Sequence, residues 1–393
     1  MLKNITRSPI QKALLVITFI ISVFLQIPQP PLDLDYYISL AAQQTSGDTV
    51  RPLNGKIVAI TGATNGLGLE LSKKVYNLGA TVIAIGRSPA KLSNMVKELN
   101  PDGDDDKRIV TVLADLSDMN SVSAAGDEIK SRFKSIDYLV NNAGMTNNSY
   151  QKQETVQGFD TVFAVNYLSH FLLTEKLLPL LEKSKLNGGS RIVQVSSSLH
   201  FQAQTKDLIT SLDSIAPEAS LPSDAKIHNM RAYGNSKMAQ IYHMRALNRQ
   251  LEKSGANVKV VSICPTWVAT HIAGSSFKNV LDVFAFHAHS YGLSSILYAM
   301  FAPELGEKDG NGEAKDYVTN CSIFTGKVAT FVDKSPAIPY IYDAMTGIIG
   351  AMALVSQKLF ASVDFRSTSM KGYDVESQDS LYAWSKTAIE PFM

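Results

Sequence analysis

From residue 53 onward the apolar positions alternate between two periodicities. Ile57-Val58-Ala59-Ile60 is a short β-branched run, residues 69–75 carry apolar side chains at helical spacing, and between them lies Thr61-Gly62-Ala63-Thr64-Asn65-Gly66-Leu67-Gly68. That order predicts a strand, a tight turn and a helix. The alternation continues with strands over 81–85 and 109–113, a helix from Pro89, and helical spacing over 121–133. A buried strand over 138–140, a long helix over 161–181, a strand over 191–195, a helix through 232–251 and a strand over 258–263 complete it. Residues 102–107, charged and glycine-containing, read as a solvated loop.

Repeated strand–helix units with uniformly apolar strands predict an α/β fold, a Rossmann-type doubly wound parallel sheet. At 393 residues the chain forms a single domain with appendages at both ends. We expect a catalytic domain over 53–321, preceded by a linker over 32–52, whose polar residues lie between prolines. Residues 1–31 carry Lys3, Arg7 and Lys12, then an apolar run over 13–25 and a proline cluster. The run is shorter than the roughly 20 residues of a spanning helix, so a cleaved signal peptide, a short anchor and a monotopic insertion all fit it. The lack of an Ala-x-Ala site favours a retained anchor. Residues 322–393 hold a C-terminal helical insertion, over 322–377, and a closing helix over 379–389; within the insertion, 344–355 is almost wholly apolar and suits a substrate lid, a membrane contact or a buried helix.

Composition removes several classes. The formal net charge is +1, which gives no electrostatic case for nucleic acid. Cys264 and Cys321 are too few for a disulfide framework or a cysteine zinc site, and we expect no metal.

The candidate chemistry begins at the glycine-rich turn. Gly62 and Gly66 permit backbone conformations closed to other residues, and Gly68 lets the helix approach the strand, so that its N-terminus faces a pyrophosphate. Tyr233 and Lys237, four apart on a helix, share a face. A phenol with a pKa of about 10 exchanges protons poorly at neutral pH, and a neighbouring ammonium lowers that value. The strand over 191–195 delivers Ser196, Ser197 and Ser198 at its carboxyl end, where open α/β sheets place ligands. Alternation sends Ser197 to the face opposite the other two, so one register serves the site. Asn166 lies in an apolar helix and must find buried partners, either as a site residue or as a packing amide. Gly86-Arg87 ends the second strand where an NAD-specific site would carry a carboxylate; Arg87, with Lys91 one turn on, suits a 2′-phosphate, so NADP is the expected cofactor.

Thr61-Gly62-x-x-x-Gly66-x-Gly68, Asn141-Asn142-Ala143-Gly144, Ser197 and Tyr233-x-x-x-Lys237 occur in the order and spacing of the short-chain dehydrogenase/reductase family, which the sequence resembles over residues 53–321. The run from Phe163 through Asn166 and His170 to Thr174, with His200 after the serines, is similar to the retinol dehydrogenase-like branch. The resemblance implies a catalytic tetrad of Asn166, Ser197, Tyr233 and Lys237, with Ser197 holding the substrate oxygen and Asn166 supporting a proton path to the lysine. It implies cofactor contacts from Gly62, Thr64, Asn65, Gly66, Leu67, Gly68, Arg87, Lys91, Asp115, Leu116, Asn142, Ala143, Gly144, Tyr233, Lys237, Pro265, Val268 and Thr270, with Asp115 at the adenine. Thr266 stands where the family usually has glycine. The expected protein is an NADP-dependent oxidoreductase of a lipophilic alcohol and its aldehyde or ketone, such as a retinoid, steroid or lipid-derived carbonyl. Its expected setting is a membrane, of the endoplasmic reticulum or a lipid droplet, with a homodimer an open alternative. The competing readings are a non-catalytic NADP-binding protein of a membrane or lipid droplet and a porphyrin-type reductase.

Overall fold

A computed structural model of the chain describes residues 34–45, 50–101, 107–146, 153–197, 199–200, 203, 225–265, 288–306, 316–319 and 374–393. Seven parallel strands form one sheet in the order β3-β2-β1-β4-β5-β6-β7. They are β1 (Ile57–Thr61), β2 (Thr81–Gly86), β3 (Ile109–Leu113), β4 (Tyr138–Asn141), β5 (Ser190–Val195), β6 (Val258–Cys264) and β7 (Tyr317–Thr319). The strand order reverses between β1 and β4. There the connections leave to opposite sides and open a crevice above the carboxyl ends.

Strand pleat sorts the side chains into two cores. Ala59, Ile83 and Ile85 point to one face with Leu139 and Ile192, whereas Val58, Ile60, Val82 and Ala84 point to the other with Tyr138, Val140 and Val193. Helix α1 (Leu34–Gln44), α2 (Gly66–Asn77), α3 (Pro89–Leu99) and α7 (Ala288–Phe301) supply the second core. The first is covered by α4 (Met119–Arg132), α5 (Ser169–Leu181), α6 (Ala225–Ser254) and α8 (Val375–Ile389). Burial on both faces explains why the strands read as unbroken apolar runs.

Three elements differ from expectation. The linker expected over 32–52 contains α1, whose Tyr37, Leu40 and Ala41 are buried. Those positions and Gln44 recur at helical spacing, a stripe that the flanking prolines concealed. Gln44 Nε2 donates to the Phe301 carbonyl at 2.7 Å, and Gln44 Oε1 accepts from Tyr138 Oη at 2.9 Å, so this segment closes the amino end of the sheet. The helix expected over 161–181 is interrupted: a short α-turn (Thr161–Phe163) leads into a π-helical turn (Ala164–Leu168) and only then into α5. The insertion expected over 322–377 ends earlier, because α8 starts at Val375, capped by Asp374 Oδ1, which accepts from Ser377 N at 3.2 Å. The hydrophobic pattern also did not single out α7 or β7. Residues 1–31, the apolar stretch 344–355 and the loop 102–106 lie outside the described residues.

Candidate active site

The glycine turn is held from two sides. Gly62 adopts φ +65° and donates its N–H to the Ile85 carbonyl at 2.9 Å. A Cβ on Gly68 would stand 2.2 Å from the Gly62 carbonyl oxygen, so only glycine lets α2 start this close to the turn. Asn65 precedes α2 without a side-chain cap, which leaves the first-turn amides directed at whatever the turn encloses. Asn142 Nδ2 donates to the Thr61 carbonyl at 2.9 Å, so Asn142 braces the turn from the neighbouring strand end.

Four described side chains gather beside that turn at the carboxyl ends of β4, β5 and β6. Ser196 and Ser197 leave β5 in different directions. Ser196 Oγ donates to the Lys237 carbonyl at 2.8 Å and is spent on α6, whereas Ser197 hydrogen-bonds the Tyr233 hydroxyl. Ser198 lies outside the described residues. Lys237 Nζ donates to the Val195 carbonyl at 2.8 Å and sits 5.4 Å from the Tyr233 ring centroid. Asn166 stands in the π-helical turn: Oδ1 accepts from Met145 N at 2.8 Å, and Nδ2 donates to Met145 O at 2.9 Å and Ser236 Oγ at 3.0 Å. A Cβ on Gly144 would lie 3.4 Å from Lys237 Nζ and 3.5 Å from Asn166 Oδ1. The Asn-Asn-Ala-Gly loop therefore runs directly past the lysine.

The protonation pattern differs from the expected one. Burial pushes the Tyr233 phenol up, against the Ser197 hydrogen bond that lowers it, and the charge on Cys264 adds to the rise. Burial brings Lys237 down to about 7, with Cys264 acting the other way. An ammonium with that pKa is only about half charged at neutral pH, so the lowering of the phenol expected from it is outweighed by desolvation.

The remaining cofactor candidates flank the crevice. Gly86 ends β2 against Thr64, whose Cγ2 would be 3.3 Å from a Cβ there. Arg87 and Lys91 follow, both exposed and without an ion-pair partner among the described residues. Asp115 Oδ1 accepts from Ser117 N at 2.9 Å and Ser117 Oγ at 2.7 Å, and Leu116 is buried beside it. Pro265 continues from β6. Thr266, Val268 and Thr270 lie outside the described residues.

Two residues escaped the sequence reading as site members, Thr61 and His170. Thr61 Oγ1 accepts from Asn142 N at 2.9 Å and Ala143 N at 3.0 Å, and lies 2.9 Å from His170 Nε2. A histidine four residues after Asn166 in an apolar run was the available signal.

A reversed strand order, a glycine turn at its switch point and a Ser–Tyr–Lys cluster beside it define a dinucleotide-dependent oxidoreductase. The model of the short chain dehydrogenases matches residues 56–207. Retinol dehydrogenase 12 of Mus musculus is 30% identical over 271 residues, covering 68% of this chain and 78% of its own. A short chain dehydrogenase/reductase of Colletotrichum higginsianum is 29% identical over 264 residues, and the chain spans just under two thirds of it, 65%. An uncharacterised protein of Mycobacterium paratuberculosis shares the fold, with a TM-score of 0.60 at 21% identity, covering 89% of this chain and 97% of that one. The chain belongs to the short chain dehydrogenase family, and retinol dehydrogenases are among its relatives.

Proposed function

We propose that the protein uses NADP to interconvert a lipophilic alcohol and its aldehyde or ketone. The observation that carries this reading is the cluster of half-buried Ser197 with buried Tyr233 and Lys237 at the carboxyl end of β5, beside the loop that braces the glycine turn. The residues present fit a dinucleotide: the turn at Gly62 and Gly68 has no room for side chains, and Arg87 and Lys91 offer uncommitted positive charge to a 2′-phosphate. A bound nicotinamide supplies or accepts the hydride at the substrate carbon.

The chain's own residues manage the oxygen. Ser197 Oγ donates to the carbonyl oxygen and holds it as negative charge develops. In the reducing direction Tyr233 gives its hydroxyl proton to that oxygen, so hydride and proton together make the alcohol; in the oxidising direction the phenolate takes the proton back. Lys237, near 7, exchanges protons readily at neutral pH and favours the phenolate when charged. Asn166, fixed through Met145 and Ser236, keeps the loop past Lys237 in place.

A lipophilic substrate is favoured by the likeness to a retinol dehydrogenase and by the apolar stretches 13–25 and 344–355. The stretch 13–25 would hold the protein on a membrane. Purified full-length protein incubated with NADPH, NADH and a panel of lipophilic carbonyls tests the reading. NADPH should bind more tightly than NADH, and Arg87→Asp should erode that preference by on the order of tenfold through loss of a charge-assisted contact. Equal affinity for the two cofactors in the unmutated protein would defeat the NADP assignment.

A further inference from the structure

We propose that His170 is a positioning residue that locks the carbonyl of Asn166 to the hydroxyl of Thr61, and so holds the acid–base cluster and the glycine turn in one register. The inference rests on the dinucleotide reading of the turn.

The π-helical turn is the starting point. Ser169 N reaches back to Ala164 O, an i+5 bond, and the Asn166 carbonyl is served by side chains. Gln240 Nε2 donates to it at 2.8 Å, and His170 Nδ1 lies 3.1 Å away. A carbonyl only accepts, so Nδ1 carries the imidazole proton. Burial lowers the ring's proton affinity, against the Asn166 hydrogen bond that raises it, and the Lys237 charge lowers it further, so the imidazole is neutral and Nε2 is bare. Thr61 Oγ1, 2.9 Å from Nε2, must then be the donor in that contact.

The consequence falls on the threonine. A hydroxyl has one proton and two lone pairs, and with its proton committed to His170 it presents both lone pairs to the Asn142 and Ala143 amides at 2.9 and 3.0 Å. The alternative acceptor, the Val140 carbonyl, is 3.5 Å away. One buried ring thus runs from the helix bearing Asn166 to the residue before Gly62 and, through it, to the loop that passes Lys237. Both Asn166 carbonyl lone pairs are filled by protein donors, so the proton path expected through Asn166 has no free main-chain acceptor there.

The first test needs no cofactor. Full-length protein labelled with ¹⁵N in its seven histidines should show one ring, identified by its loss in His170→Phe, protonated at Nδ1 and bare at Nε2 at neutral pH. Thr61→Val should shift its Nε2 resonance, whereas Thr61→Ser should leave it in place. An Nε2-protonated ring, or one indifferent to Thr61→Val, would overturn the proposal. If His170→Phe fails to fold, the ring is identified by its loss in His170→Gln, and the same two readouts decide the question. The second test is a cycle of NADPH dissociation constants. Thr61→Val and His170→Phe should each weaken binding on the order of tenfold, and the double variant should be no weaker than the poorer single one. Losses that multiply, or a Thr61→Ser variant as weak as Thr61→Val, would show that the two act independently. Failure of the unmutated protein to bind any nicotinamide cofactor would defeat the functional reading, while the tautomer would still decide the clamp.

Discussion

At the scale of single residues, the site is a small set of buried polar groups whose protonation is set by what surrounds them. Tyr233 is pushed up by burial and Lys237 down to about 7 by the same cause, so desolvation draws apart two proton affinities that nearly coincide in water, keeping the phenol protonated and the amine only partly charged at neutral pH. Ser197 donates to or accepts from Tyr233, whereas its neighbour Ser196 is committed to α6, which is why only one of the two can serve a substrate oxygen. Tyr233→Phe removes the proton donor and almost no volume. Turnover should fall by at least about a hundredfold while NADPH binding persists, as read by steady-state rates beside a cofactor titration. Near-normal turnover in that variant would take Tyr233 out of the acid–base role.

Among the elements, two short irregular pieces matter more than their length implies. The π-helical turn carries Asn166 and also Tyr167, whose hydroxyl meets Ser385 Oγ of α8 at 2.7 Å, so the last helix packs against the turn that supports the site. At the other end of the sheet, α1 buries Tyr37 against Tyr298 of α7, with ring centroids 6.4 Å apart, and Gln44 joins Phe301 to Tyr138. Deleting residues 1–31 should leave cofactor binding intact and move the protein from the membrane fraction toward the soluble one. Deleting residues 1–45 should also strip α1, leave the Tyr138 hydroxyl and Phe301 carbonyl without their partner, and cost several kcal/mol of stability by chemical denaturation. Full-length protein found mainly in the soluble fraction would contradict the anchor. Equal stability of the two truncations would contradict the docking of α1.

Across the whole molecule, the two cores are joined by a sheet whose amino end is closed by α1 and whose carboxyl end carries the Ser197, Tyr233 and Lys237 cluster, and His170 and His243 are buried in the interior on one side. Burial lowers His170 to about 4 and His243 to about 3; the charges on His170 and Lys386 add to the effect at His243. In the unfolded chain both would titrate near 6.5, so below that pH the unfolded state takes up protons the folded state refuses. Stability should therefore fall as pH drops from about 6.5 toward 4, by on the order of several kcal/mol for the pair. Lys237 acts in the same sense at higher pH, since its folded value near 7 lies below its ordinary 10.5 and stability rises as pH climbs between them. Urea midpoints at pH 7.5 and 5.0 check this, and an unchanged midpoint would mean that the histidines are not held neutral. Periodicity and motif spacing were enough to read the strands, the glycine turn, the Tyr233–Lys237 pair and the sheet's class from the sequence, because each is a local pattern repeated within a few residues. The helix in residues 34–44, the π-helical turn at Asn166, the hydrogen bond between Ser197 and Tyr233 and the joining of Thr61 to His170 came only with the tertiary structure. Each of these depends on a partner distant in sequence: Gln44 on Phe301, Asn166 on Gln240, Tyr233 on Ser197, His170 on Thr61. Local pattern fixes which backbone a segment prefers, but the direction of a buried hydrogen bond and the charge of a buried group are decided by what the fold packs against them.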